Sequence, residues 1–277
     1  MKIARNDEGF LVEHADGGWV PLARLGLAAP DTAAVIGQRG ALKAALDRSG
    51  PGDDVDVRTL LHPIVRPSKV LAIGLNYRDH IRETQSTVPE RPVLFAKFPN
   101  SLNDPYGDVV MGPDVTEQGD YETELAVVIG APTRQVSVEE ALGSVFAYTV
   151  ANDVSARDWQ SADGQISRSK SFDTFCPIGP WLTTADEIPD PQALAIRTWV
   201  NDELRQDSST KQMLFSVAEL IAFLARGMTL EPGDVLLTGT PHGVGFAMDP
   251  PRFIGPGDVV RCEVEVLGVI ENRVVGS

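Results

Sequence analysis

Hydrophobic positions along this chain fall in short runs rather than in long helical stretches. Near the start, Lys2-Ile3-Ala4, Phe10-Leu11-Val12 and Trp19-Val20 read as strands around the turn-prone Ala15-Asp16-Gly17-Gly18. An Ala-rich stretch from Ala41 to Leu46 suits a helix, and nothing before residue 66 has catalytic character. From Val70 the runs become β-branched and are broken by Gly and Pro. They are Val70 to Gly74, Val93 to Ala96, Leu125 to Ile129, Val145 to Val150, Val235 to Thr238 and Val259 to Val266. Gly107-Asp108, Gly233-Asp234 and Gly257-Asp258 fit turns between such strands. Further helices are expected at Tyr77 to Glu83, Val138 to Leu142 and Val217 to Ala225. With 25 Gly and 20 Pro, the pattern predicts a β-rich α+β protein rather than a regular βαβ repeat. It divides into a small N-terminal α+β domain, residues 1–66, and a larger domain over 67–277. The first reads as a packing or dimer-contact unit.

Composition narrows the function classes. The chain has 277 residues, 43% of them hydrophobic, enough for a sizeable core. A net charge of −15 argues against a nucleic-acid or anionic-membrane partner, because neither polyanion gains from an acidic surface. Cys176 and Cys262 are the only cysteines and form no C-x-x-C pair, against both a disulfide scaffold and a thiolate zinc site. The N-terminus has no apolar signal region, and the apolar runs fall far short of the ~20 residues a bilayer requires. The expectation is a soluble, cytoplasmic protein. There is no G-x-S-x-G, no H-E-x-x-H and no strand-to-helix G-x-G-x-x-G, which demotes serine hydrolases, zincins and dinucleotide dehydrogenases.

The sharpest chemistry lies in Asp120-Tyr121-Glu122-Thr123-Glu124, which leads into Leu125 to Ile129. On a strand, residues two apart face the same way, so Glu122 and Glu124 project together. The following residues are apolar on both faces, so the strand runs inward, where paired carboxylates need a cation or a proton. Asp153 ends a second apolar run and offers a third carboxylate. Three carboxylates with water suit Mg²⁺ or Mn²⁺, whereas zinc would want His or Cys. The pattern alone is equally met by a solvated edge strand. His80 and Glu83, three apart, would be neighbours on a helix, where the acid could orient the imidazole as a base; a surface ion pair has the same spacing. Lys170 precedes a Pro-limited apolar segment and could point inward as an oxyanion partner, or simply lie on the surface. Arg157 and Gln160 follow Asp153 by four and seven residues, and a helical turn there would aim both at the metal as carboxylate-binding groups. Thr238 to Gly245 is a Gly-rich loop without the Lys-Ser/Thr of a P-loop, and fits a substrate-lining loop or a plain turn.

As an ordered set, these pieces resemble the fumarylacetoacetate hydrolase family over about residues 68 to 275. The resemblance rests on Gly74-Leu75-Asn76-Tyr77 with His80 and Glu83, Glu122-x-Glu124, Asn152 to Gln160, Lys170 to Phe175, and Thr238-Gly239-Thr240-Pro241. It implies a mixed β-sandwich roll, usually dimeric, with Glu122, Glu124 and Asp153 as metal ligands. His80 and Glu83 would be a base dyad on a segment that orders over substrate. Lys170 would balance negative charge, and Arg157, Gln160 and Thr240 would contact substrate.

The expected reaction is metal-dependent C–C hydrolysis of an acylpyruvate-like or diketo acid, the ion stabilising the enolate that leaves. Oxaloacetate decarboxylation, or isomerisation of a 2-hydroxydienoate by proton transfer between carbons, on the same site is the alternative. A non-catalytic metal-binding protein is the alternative of a different class, and it would not need His80, Glu83 or Lys170. The substrate's distal group is expected among loops such as Phe95 to Tyr106 and Phe246 to Phe253.

Overall fold

The computed structural model describes residues 1–276. Its frame is a mixed ten-stranded sheet. Across it run Trp19–Pro21, Gly9–Glu13, Lys2–Asn6, Cys176–Thr184, Val145–Asn152, Thr123–Ile129, Val235–Leu237, Val70–Gly74 and Val93–Lys97, with Leu102–Asn103 beside Cys176–Thr184. A second sheet of five strands packs on one face, ordered Glu203–Ser209, Ala195–Val200, Val259–Val264, Gly268–Val275, Val109–Val110. Together they form a mixed β-sandwich roll with few helices. The three N-terminal strands extend the large sheet, because Lys2 and Ile3 pair with Thr183 and Leu182.

Strand Thr123–Ile129 is buried along its whole length, and its period of two sorts the core. Leu125, Val127 and Ile129 enter the cluster between the sheets, with Ile196, Val264 and Ile270. Ala126 and Val128 face the other side, where Val35 and Leu42 of the N-terminal helices Thr32–Gly37 and Arg39–Leu46 join the packing. This double burial explains the run's lack of polar alternation. Glu122 and Glu124 share parity with Ala126 and Val128, so they lie on the second face.

The expected strands all form. Helix Val138–Ala141 is capped by Ser137 and continues as a 3-10 turn, and Val217–Leu224 carries a Ser216/Glu219 capping box. Strand Cys176–Thr184 was not anticipated, since Pro177 and Pro180 read against a central strand. The fold accommodates Pro180 through a register shift between Tyr148 and Val150 on the neighbouring strand. There the Thr149 hydroxyl donates to the Gly179 carbonyl at 2.9 Å and to that of Trp181 at 2.7 Å, satisfying the acceptors on either side of Pro180 where the ladder is interrupted. No helix among the described residues is long and apolar enough to cross a membrane.

Candidate active site and metal centre

The carboxylates meet because two antiparallel strands end side by side. Strands Thr123–Ile129 and Val145–Asn152 pair Glu124 with Ala151 and Thr123 with Asn152, which sets Asp153 beside Glu122. Two bonds lock these ends: the Asp153 amide donates to the Glu122 carbonyl at 2.8 Å, and the Glu122 amide to Asn152 Oδ1 at 2.9 Å. Glu122, Glu124 and Asp153 are buried, and an oxygen of each lies within 4.8 Å of the others.

Three cations surround this set. Lys170 Nζ donates to Glu122 Oε2 and to Asp153 Oδ2, at 2.7 Å each. Lys97 Nζ, at the end of Val93–Lys97, donates to Asp153 Oδ1 at 2.7 Å, to the Phe175 carbonyl at 3.0 Å and to the Lys170 carbonyl. Arg157 opens helix Arg157–Asp163 and donates from Nη2 to Glu122 Oε1 at 2.5 Å and from Nε to Asp120 Oδ2 at 2.9 Å. Its Nη1 reaches Gln160 Oε1 at 3.1 Å, so all three nitrogens are engaged.

Glu124 is the exception. Its Oε2 accepts from the Gly239 amide at 2.6 Å, and no ion pair reaches it among the described residues. Burial, and then the charges of Asp153 and Glu122, hold its carboxyl well above the usual range. Burial also works against Glu122, but Lys170 and Arg157 outweigh it and pull that carboxyl down to about 2. Burial favours a neutral Lys170, yet Asp153 and Glu122 keep its ammonium charged. Positive charge is therefore missing at Glu124, beside two other hard oxygen donors, and the residues fit a Mg²⁺- or Mn²⁺-like ion. Gly239 sits at φ +96°, and a Cβ there would come within 2.8 Å of Asn76 Cβ, which accounts for the glycine in Thr238-Gly239-Thr240-Pro241.

Helix Arg78–Glu83 lays His80 across the opening. His80 Nδ1 is 2.7 Å from Glu83 Oε1, and Glu83 Oε2 accepts from the Gly243 amide at 2.9 Å. The dyad is thus tied to the loop after strand Val235–Leu237, leaving Nε2 as the free ring nitrogen. His80, Glu122, Arg157, Gln160, Lys170 and Thr240 all line one cavity of about 320 Å³. Glu124 and Asp153 lie beneath them and Glu83 behind His80, so all nine residues singled out from the sequence gather at one place. Thr240 Oγ1 donates to the Thr123 carbonyl at 3.0 Å and accepts from Gln206 Nε2 at 2.9 Å. Lys170 and Arg157 both hold carboxylates of the site.

Two residues of this network received no role from the sequence. Lys97 ends the apolar run Val93 to Ala96, and its parity with buried Phe95 was the available signal. Asp120 shares the parity of Glu122 and Glu124; fully buried, it accepts from Arg157 and from the amides of Gly245 at 2.7 Å and Phe246 at 3.2 Å. Burial raises its carboxyl despite Arg157.

A family model described as fumarylacetoacetate (FAA) hydrolase C-terminal matches residues 69–275. The chain belongs to the fumarylacetoacetate hydrolase family. It is 48% identical over 218 residues to rat "Oxaloacetate tautomerase Fahd2a, mitochondrial", covering 78% of this chain and 69% of that one. Among solved structures, a fumarylacetoacetate hydrolase from Exiguobacterium antarcticum aligns with TM-score 0.84 and 38% identity over 100% of both chains. A 5-carboxymethyl-2-hydroxymuconate delta-isomerase from Mycobacterium smegmatis aligns with TM-score 0.76 and 34% identity, over 100% of this chain and 99% of that one. The tautomerase and isomerase names favour the alternative on the same site over the C–C hydrolysis expected first.

Proposed function

We propose that the protein is a Mg²⁺- or Mn²⁺-dependent tautomerase that moves a proton at the carbon next to the keto group of a short dicarboxylic 2-oxo acid, with oxaloacetate as the leading substrate. The observation that carries this reading is one small cavity in which the His80–Glu83 pair and Lys170 face each other above three buried carboxylates. Its volume of about 320 Å³ sits at the low end of ligand sites, roughly 300–1,000 Å³, and suits a compact acid. The likeness to the rat tautomerase supports the choice of reaction.

A divalent ion, when bound, supplies Lewis-acid polarisation of the substrate's oxygens and stabilises enolate charge. The chain's own groups do the rest. In the enol-to-keto direction, His80 Nε2 as imidazolium delivers a proton to C3. The enol O–H proton leaves to solvent, and the C2–C3 double bond becomes the C2=O double bond. Glu83 fixes the ring through Nδ1 and so aims Nε2 into the cavity. Lys170 presents a fixed ammonium to the developing enolate oxygen. Gln160, with Oε1 turned to Arg157, has amide hydrogens left for a substrate carboxylate, and Thr240 borders the same space. With Glu124 ionised, as ion binding requires, Asp120, Glu122, Glu124 and Asp153 against Lys97, Arg157 and Lys170 sum to −1; a divalent ion makes the cluster +1, which favours an anionic substrate.

C–C hydrolysis is the second reading, favoured by the likeness to the Exiguobacterium hydrolase over the whole chain. It would use the same dyad to activate water. Adding oxaloacetate and acetylpyruvate separately to Mg²⁺- or Mn²⁺-loaded protein, with enol absorbance and pyruvate followed together, tests the choice. Enol loss from oxaloacetate without pyruvate is the expected result. Pyruvate and acetate from acetylpyruvate, outpacing any change in oxaloacetate, would overturn it. A homodimer is proposed from the family resemblance and is read by sedimentation velocity.

A further inference from the structure

The cavity of about 320 Å³ has a neighbour of about 590 Å³, and the two share Arg157, Gln160 and Phe246 as a common wall. Beyond that wall the outer chamber is bordered by Gln118, Ser161, Pro251 and Phe253. Arg157 is held by Asp120, Glu122 and Gln160, so its guanidinium stays in the wall. Phe246 is the one apolar residue common to both cavities. Its ring stands edge-on to His80, centroids 6.3 Å apart at 84°, and the Arg157 guanidinium lies 4.3 Å from its centre. The turn Gly245–Ala247 that carries it is fixed by the two amide bonds to buried Asp120. A Cβ on Gly245 would come within 2.3 Å of the Arg252 carbonyl, so the turn allows nothing larger there.

We propose that Phe246 is the specificity-determining partition of the site: it closes the inner chamber at the length of a short oxo acid and denies longer substrates the outer chamber. This rests on the functional reading above. Asp120 is its positioning residue, because one carboxylate holds both the Phe246 turn and Arg157. With the ring removed, the chambers join, and an acid bearing an alkyl or aryl group at its distal end has Pro251 and Phe253 to bury that group against. Each methylene so buried is worth roughly fourfold in affinity.

The test uses binding, so it does not depend on turnover. Mn²⁺-loaded wild type, Phe246→Ala and Phe246→Leu are titrated calorimetrically with oxamate, N-propyloxamate and N-phenyloxamate. The readout is the affinity of each tailed ligand relative to oxamate in the same protein. This ratio is unaffected by any general loss from disturbing His80 or Arg157. In wild type the tailed ligands should bind at least tenfold more weakly than oxamate. In Phe246→Ala the ratio should rise by more than tenfold, with Phe246→Leu between. Equal binding of tailed and untailed ligands by wild type would overturn the proposal, as would a ratio that is the same in all three proteins. Failure of wild type to bind oxamate at all would instead sink the short-oxo-acid reading, and this inference with it.

Discussion

Replacing Glu124 by Gln removes a buried titratable carboxyl while keeping the side chain's shape and the oxygen that accepts from Gly239. Two effects of opposite sign follow. Without metal, the folded wild type holds Glu124 with a raised carboxyl, so the folded state binds more protons than the unfolded one as pH rises past the ordinary carboxylate range. Stability then falls by about 1.4 kcal/mol per pH unit, from the unfolded value of about 4.3 up to the folded one. Each pH unit inside that window therefore costs on the order of 1 kcal/mol, a few degrees in melting temperature for a chain of this size. Glu124→Gln lacks this loss, so the metal-free variant should melt above metal-free wild type, by a margin that widens with pH. With metal the order reverses. An ion at 100 times its Kd adds about 2.7 kcal/mol to wild type and should add almost nothing to the variant. Melting curves at pH 5, 6 and 7, with and without Mn²⁺, read both effects. A metal-free variant less stable than wild type across this range, or one that keeps the metal-induced rise, would refute the reasoning.

Other consequences follow from the same network. His80→Ala should lower turnover by about 10²–10⁴-fold while leaving the Mn²⁺-induced melting shift intact, because His80 borders the cavity and holds no ligand; loss of that shift would remove its assigned role. Lys97→Met leaves Asp153 Oδ1 and two carbonyls without their donor in a fully buried place, and should cost about 3–5 kcal/mol in urea unfolding; a cost under about 1 kcal/mol would mean the pocket adjusts freely. Metal affinity should rise with pH, since Glu124 must lose its proton to take the ion. Calorimetry in buffers of different ionisation enthalpy at pH 6 should register proton release, and no buffer dependence would contradict it.

Much of this site was legible because its residues follow simple periods. Glu122 and Glu124 obey the strand's period of two, and His80 and Glu83 the helix's spacing of three. Arg157 and Gln160 met once a helix began directly after Asp153 and its short strand. The even face of Thr123–Ile129 looked ambiguous because burial on both sides erased the polar alternation that distinguishes a wet edge. Lys97 offered only its parity with Phe95 as a signal. A lysine ending an apolar run is ordinarily a solvated stop, and only tertiary contact with Asp153 makes it a buried counter-charge. Strand Cys176–Thr184 was hidden by its prolines, beside which the Thr149 hydroxyl of the neighbouring strand supplies the Gly179 and Trp181 carbonyls. Phe246 could be placed in a candidate loop, but its position between His80 and Arg157 depends on bonds from Asp120, more than a hundred residues away in the chain.

The central claim is proton transfer by His80 at the carbon beside the keto group, and hydrogen exchange at C3 of oxaloacetate reads it directly. In D₂O with Mg²⁺, proton NMR should show wild type exchanging one C3 hydrogen stereospecifically, faster than solvent alone and faster than any pyruvate appears, with His80→Ala reduced to the solvent rate. Exchange at the solvent rate in both proteins, or pyruvate forming as fast as the C3 hydrogen is lost, would contradict it.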